Sequence, residues 1–245
     1  MNSENGHAVR MEGLMKSYGD IRALDGLDLN IANGCLYGLI GPNGSGKSTA
    51  IKAAMGLVSA DSGKVEVLGE EAPLKRNIHR IGYMPQELAV YQDISVWENL
   101  EAFGGMYSLS KTELERSGME VLRMVDLVHR RDSLVRALSG GMKHRVSLAC
   151  ALVHSPDMIF LDEPTVGVDP ELRVRFWDYF KELKRKGRTV IITTHYMDEA
   201  LRCDMVGMIR GGRLIAEGTA LELMHRSGAD NLEDAFLRFS RGLGK

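Results

Sequence analysis

No stretch of this chain constrains its fold more than Gly41-Pro42-Asn43-Gly44-Ser45-Gly46-Lys47-Ser48-Thr49. These nine residues fit the pattern G-x-x-x-x-G-K-[ST]. A short apolar run, Leu36 to Ile40, precedes them, and a helical pattern from about Lys47 to Leu57 follows. Strand, glycine-rich loop and helix together form the setting in which such a loop wraps a phosphate. Glycines let the backbone N–H groups converge on phosphate oxygens, and the helix start adds the positive end of its dipole. Lys47 offers a point charge to β- and γ-phosphates, and Ser48 offers a hydroxyl to Mg2+. ATP and Mg2+ are the expected ligands. The ordinary alternative is a chance glycine-rich turn, and the flanking strand and helix argue against it.

A chain of 245 residues with a net charge of −2 has room for one large domain or two small ones. That charge argues against strong non-specific attraction to nucleic acid or anionic membrane. Cys35, Cys150 and Cys203 are scattered, with no metal-ligand spacing, and suggest a reducing, cytosolic setting. The first ten residues lack the apolar region of a signal peptide, and no apolar run approaches the length that crosses a bilayer. If this chain works at a membrane, another chain must span it.

Residues 1–8 read as a flexible leader. Two strand-like segments end near Tyr18 and Ile31, and a turn at Ser62-Gly63 leads into a strand from Lys64 to Leu68. From about Ser95 to Val153 apolar residues recur three and four apart, as in Leu114, Val121, Leu122, Val125 and Leu127. Strand signals return at Met158–Leu161, Thr189–Thr194 and Met205–Ile209, with helical stretches between the first two. That alternation predicts an α/β domain over 9–228 with a mostly parallel core sheet and a helical insert at about 88–156. An amphipathic helix near 231–240 opens a C-terminal segment at 229–245.

The second chemical signal is Asp162-Glu163 at the end of the apolar run Met158-Ile159-Phe160-Leu161. Asp162 would hold Mg2+ through water, and Glu163 would act as general base on an attacking water. A strand ending in a solvated acidic turn would look the same in isolation.

Leu138-Ser139-Gly140-Gly141-Met142, some twenty residues before those acids, resembles the signature motif of ABC-type ATPases. Other landmarks of that family follow its order. Gln86, in Tyr83-Met84-Pro85-Gln86, is similar to the Q-loop glutamine. Val166-Gly167-Val168-Asp169 resembles the D-loop, and His195 the switch histidine. Tyr18 stands where the family stacks an aromatic on adenine. The resemblance covers about residues 9–226. It implies a P-loop NTPase fold with an N-terminal antiparallel β subdomain. It also implies that Glu163, His195 and Gln86 serve catalysis, with Ser48, Gln86 and Asp162 at the metal. Ser139, Gly140, Gly141 and Asp169 would meet ATP held by a second copy or a homologous ATPase, because in the family two subunits sandwich each nucleotide.

Each motif also has a structural reading. Ser139 can cap a helix over Met142–Val153, and Asp169-Pro170 is a cap and first-turn pair. His195 alone would be a surface loop residue and Tyr18 a half-buried aromatic. Trp97 and Tyr91, after the Q-loop, fit either core packing or a groove for a membrane partner's helix. Met142 departs from the family's usual Gln, which would complete a capping box; a slightly altered signature helix is expected.

The stretches Glu163–Pro170 and Thr194–Ala200, with Asn231–Leu237, are similar to ATPase subunits of drug-resistance-type exporters. That resemblance implies a subunit powering a permease on a separate chain, peripheral on the cytoplasmic face of the membrane. A soluble ABC ATPase of an assembly machinery, such as iron–sulfur cluster assembly, is the alternative.

Overall fold

Apolar alternation near the start of the chain makes half-buried strands, and unbroken apolar runs further along make fully buried ones. The computed structural model describes residues 6–242. The elements run β1 (His7–Tyr18), β2 (Ile21–Ala32), β3 (Leu36–Ile40), α1 (Lys47–Ala54), β4 (Ser62–Val67), β5 (Glu70–Glu71) and β6 (Ile81–Met84). Then come α2 (Val96–Met106), α3 (Lys111–Met124), α4 (Gly140–Leu152), β7 (Met158–Asp162), α5 (Pro170–Arg185) and β8 (Thr189–Thr194). The chain continues through α6 (Met197–Ala200), β9 (Met205–Arg210), β10 (Arg213–Gly218), α7 (Ala220–Ser227) and α8 (Leu232–Gly242).

Two compact units result. One comprises the chain up to Ile78 and from Thr189 on, the other His79–Arg188. The second takes in more than the expected insert at 88–156, because β6, β7 and α5 belong to it.

In the first unit an antiparallel sheet has the order β2-β1-β4-β5. Met11 faces Leu29 and Leu14 faces Leu27, so Glu12 and Gly13 together oppose Asp28 in a bulge. Gly13 takes the left-handed turn this needs, at φ +54°, and its N–H donates to Asp28 Oδ1 at 2.7 Å. In the same unit β3 lies parallel between β8 and β9, and β10 pairs antiparallel with β9. Every residue of β3 and β8 is buried. Behind β3 and β9, Ile40, Val206 and Met208 pack with Leu223 of α7 and Leu232, Ala235 and Phe236 of α8. In the second unit β6 runs parallel to a fully buried β7. Its helices bury Leu100, Leu122, Val146, Leu148, Phe176, Trp177 and Phe180.

β4 begins at Ser62, so the expected turn at Ser62-Gly63 is part of the strand, and α4 begins at Gly140 and not at Met142. Three further boundaries differ from the sequence expectation, each with a visible cause. β1 begins at His7, inside the expected leader, because Ala8 and Val9 are buried; residues 1–5 lie outside the described residues, as do 243–245 of the C-terminal segment. α1 stops at Ala54 and not near Leu57. Gly56 at φ +69° turns the chain, and Leu57 N–H returns to Lys52 O at 2.9 Å. α3 stops at Met124 although the apolar pattern runs on to Leu127. Asp126 adopts φ +56°, and Leu127 N–H donates to Leu122 O at 2.9 Å, so Leu127 is buried as part of the cap.

Candidate nucleotide site

The phosphate loop begins where β3 ends. Ile40 is in register with Thr194 on β8 and Met208 on β9, so Gly41 and His195 leave the same edge of the sheet on neighbouring strands. The carboxyl edge of a parallel sheet is where ligands of α/β folds bind. Gly46 precedes α1 at φ +107°, and a Cβ there would overlap the Ala23 carbonyl oxygen. A Cβ on Gly41 would overlap Ile209 O and lie 2.8 Å from Ser45 Oγ. Only glycine fits either place, which keeps the loop narrow and its amides bare. Lys47 is 5% exposed, and its Nζ donates to Gly41 O at 2.7 Å and Pro42 O at 3.1 Å. The ammonium is thus folded back over the loop. Pro42, Asn43 and Gly44 are exposed, while Gly46, Ser48 and Thr49 are half-buried.

Tyr18, at the end of β1, is 47% exposed, with Lys16 Nζ 5.6 Å from its ring centre. An exposed ring with a cation beside it can accept a flat heterocycle. His195 is half-buried, its ring centre 4.1 Å from that of Tyr196.

In the second unit the carboxylates follow the same rule. Met84 pairs with Leu161, so β6 and β7 release Gln86 and Asp162-Glu163 at one edge. Gln86 Nε2 donates to Glu163 Oε2 at a long 3.4 Å. Asp162 is 1% and Glu163 7% exposed. Glu163 sits at φ +54°, in the left-handed region that a glutamate rarely adopts. Such strain concentrates at functional positions.

Ser139 caps α4, its Oγ accepting from Met142 N–H at 3.3 Å. Helices α2, α3 and α7 each have a full capping box, closed by Glu98, Glu113 and Glu222. α4 has half of one, because the Met142 side chain has no acceptor to return. A Cβ on Gly141 would lie 2.9 Å from Gly167 O, so the signature and the D-loop segment touch. Asp169 caps α5, accepting from Leu172 N–H at 3.0 Å, with Pro170 in the first turn. Trp97 packs under the Arg131 guanidinium at 3.6 Å, and Tyr91 is exposed.

One residue that supports the loop is not apparent among the sequence motifs. Gly212 N–H donates to Ser45 O at 3.0 Å, and a side chain there would lie 2.7 Å from Leu24 Cα. The Gly211-Gly212 pair between two strands marks a hairpin turn, but not the contact with Ser45.

These features define a phosphate-loop nucleotide-binding chain. The ABC transporter family matches residues 24–166. The linearmycin resistance ATP-binding protein LnrL of Bacillus subtilis is 39% identical over 91% of this chain and 73% of its own length. Nod factor export ATP-binding protein I of Ralstonia nicotianae is 38% identical over 92% of this chain and 71% of its own. Among solved structures, the dimeric ATP-binding cassette MJ0796 in a post-hydrolysis state with ADP and Pi superposes with a TM-score of 0.80. It is 27% identical and covers 86% of this chain and 98% of that one. The chain belongs to the ABC transporter family, as its ATP-binding, ATP-hydrolysing subunit. Among the described residues no helix is long and apolar enough to cross a membrane.

Proposed function

We propose that this ATPase powers an exporter whose permease is a separate chain, and that the cargo is drug-like, lipid or another small molecule. The observation that carries this is the similarity, at 38–39% identity over nine-tenths of the chain, to proteins named for antibiotic resistance and Nod factor export. The chain would then sit on the cytoplasmic face of the membrane, held there by the permease.

In this mechanism Tyr18 faces the adenine, and Lys47 with the amides of Gly41 to Thr49 holds the phosphates. Glu163 takes a proton from the attacking water. His195 orients the γ-phosphate, and Gln86 passes its presence on to the helical residues that follow. The Ser48 hydroxyl, the Asp162 carboxylate and the Gln86 amide oxygen would be the donors to magnesium, which takes oxygen ligands. Bound Mg2+ would offset charge building on the phosphates. Ser139, Gly140, Gly141 and Asp169 of one copy would close on the ATP of another, and loss of the γ-phosphate would release them. The dimeric cassette similar to this chain supports that arrangement.

The test is light scattering of purified Glu163→Gln, whose hydrolysis should slow roughly a hundredfold or more. A dimer that forms only with ATP is expected. A protein that binds ATP yet stays monomeric would refute the two-copy closure. For the export role, the tagged chain solubilised from its host's membranes should carry a multi-spanning protein in stoichiometric amount. Recovery of the chain solely from the soluble fraction would count against it.

A further inference from the structure

Tyr83 lies on β6, and its partner on β7 is Phe160. Facing residues of a parallel pair point to the same side, and side chains alternate along a strand. Asp162, two residues beyond Phe160, therefore shares that side with Tyr83 as its diagonal neighbour. Diagonal neighbours lie about 7–8 Å apart, within reach of a long aromatic side chain. A phenol is protonated at neutral pH and can donate. The Tyr83 Oη is buried and has no hydrogen-bond partner among the described residues. A buried phenol hydroxyl ordinarily has one.

We propose that Tyr83 is a positioning residue for ATP hydrolysis, its hydroxyl donating to the Asp162 carboxylate, directly or through one water, and holding it in the orientation that receives a divalent metal. This rests on the metal role given above to Asp162. The hydroxyl acts at one remove from the metal, as outer hydrogen bonds to metal-ligating carboxylates do.

The experiment measures Mn2+ binding by electron paramagnetic resonance with a non-hydrolysable ATP analogue, for the wild type, Tyr83→Phe and Asp162→Asn. Tyr83→Phe keeps the ring and removes only the hydroxyl, so the packing around it is retained; thermal melting checks this. Mn2+ affinity should fall about 10-fold in Tyr83→Phe, the low end for a lost outer hydrogen bond. Metal-free analogue binding should stay unchanged. In ATPase assays the half-saturating metal concentration should rise by the same factor while kcat at saturating metal is retained. Wild-type Mn2+ affinity in Tyr83→Phe would overturn the proposal, whether or not the melting temperature moves. If Asp162→Asn also binds Mn2+ as the wild type does, the metal role of Asp162 falls and that of Tyr83 with it. A loss in Asp162→Asn alone removes only the tyrosine's part.

Discussion

Replacing Gly46 by alanine should destabilise the protein even without nucleotide, and by more than the same change at Gly44. Both glycines have left-handed backbones, Gly44 at φ +76° and Gly46 at φ +107°. Their surroundings differ. A Cβ on Gly44 meets nothing within 4 Å, whereas one on Gly46 would overlap Ala23 O and approach Leu24 Cδ2 to 3.1 Å. Gly44→Ala therefore carries the dihedral cost alone, about 1–2 kcal/mol. Gly46→Ala adds a steric cost of about 1–3 kcal/mol for forcing atoms into filled space, giving about 2–5 kcal/mol. Equilibrium urea unfolding of the nucleotide-free protein measures both. Binding of a fluorescent ATP analogue to the folded fraction then shows what the altered loop does to phosphate contacts. Equal costs at the two positions would refute the argument that packing against Ala23, and not backbone preference alone, makes Gly46 a glycine.

Met142→Gln should complete the capping box of α4 and stabilise by about 0.5–1 kcal/mol, with ATPase activity retained; a large loss of activity would contradict the capping account. Asp169→Ala removes the acceptor of Leu172 N–H and should cost about 1 kcal/mol, a melting shift of about 2–4 °C. Asp169→Ser should restore the cap, so activity that stays low in the serine variant would mark a role beyond capping. His154 stacks on Tyr107 at 3.5 Å, and burial, partly opposed by its bond to Ile81 O, lowers its imidazole from 6.5 to about 4. The unfolded chain then binds the proton more tightly, so this group's stabilisation is present above 6.5 and is lost as pH falls towards 4. Urea unfolding should show a loss of about 2 kcal/mol from this group between pH 7.5 and 5, and the loss should shrink in His154→Gln.

What could be read before any coordinates was the part set by short-range chemistry. β3 and β8 have the limits their apolar runs suggest, because continuous burial leaves few alternatives. The phosphate loop was legible because glycine, lysine and hydroxyl spacing together encode one backbone path. Helix ends were less legible where a residue other than glycine takes the left-handed turn. Asp126 ends α3 in the middle of an apolar pattern that still buries Leu127. The segment 213–227, holding β10 and α7, gave no clear pattern, since Leu214 and Ile215 are only half-buried and Leu221 is exposed. The part played by Gly212 depends on a contact with Ser45, 167 residues away in sequence, and no local pattern reports such a pairing.

The residues of interest share one placement in both units. Gly41 and His195 stand one residue beyond fully buried strands, and Glu163 stands one beyond another. A strand packed on both faces cannot slip by one residue without turning its side chains to the wrong side. Its burial therefore fixes where the next residue begins, to within the tolerance of the ladder hydrogen bonds. The strained backbone of Glu163 fits this view: its φ of +54° follows directly on Asp162, which β7 holds buried. Relieving that strain would require moving the buried strand, so the conformation persists and the carboxylate is held in place before any substrate arrives. Core substitutions in β7, such as Phe160→Ala, should then lower the ATPase rate as well as stability, although Phe160 itself is buried in the strand.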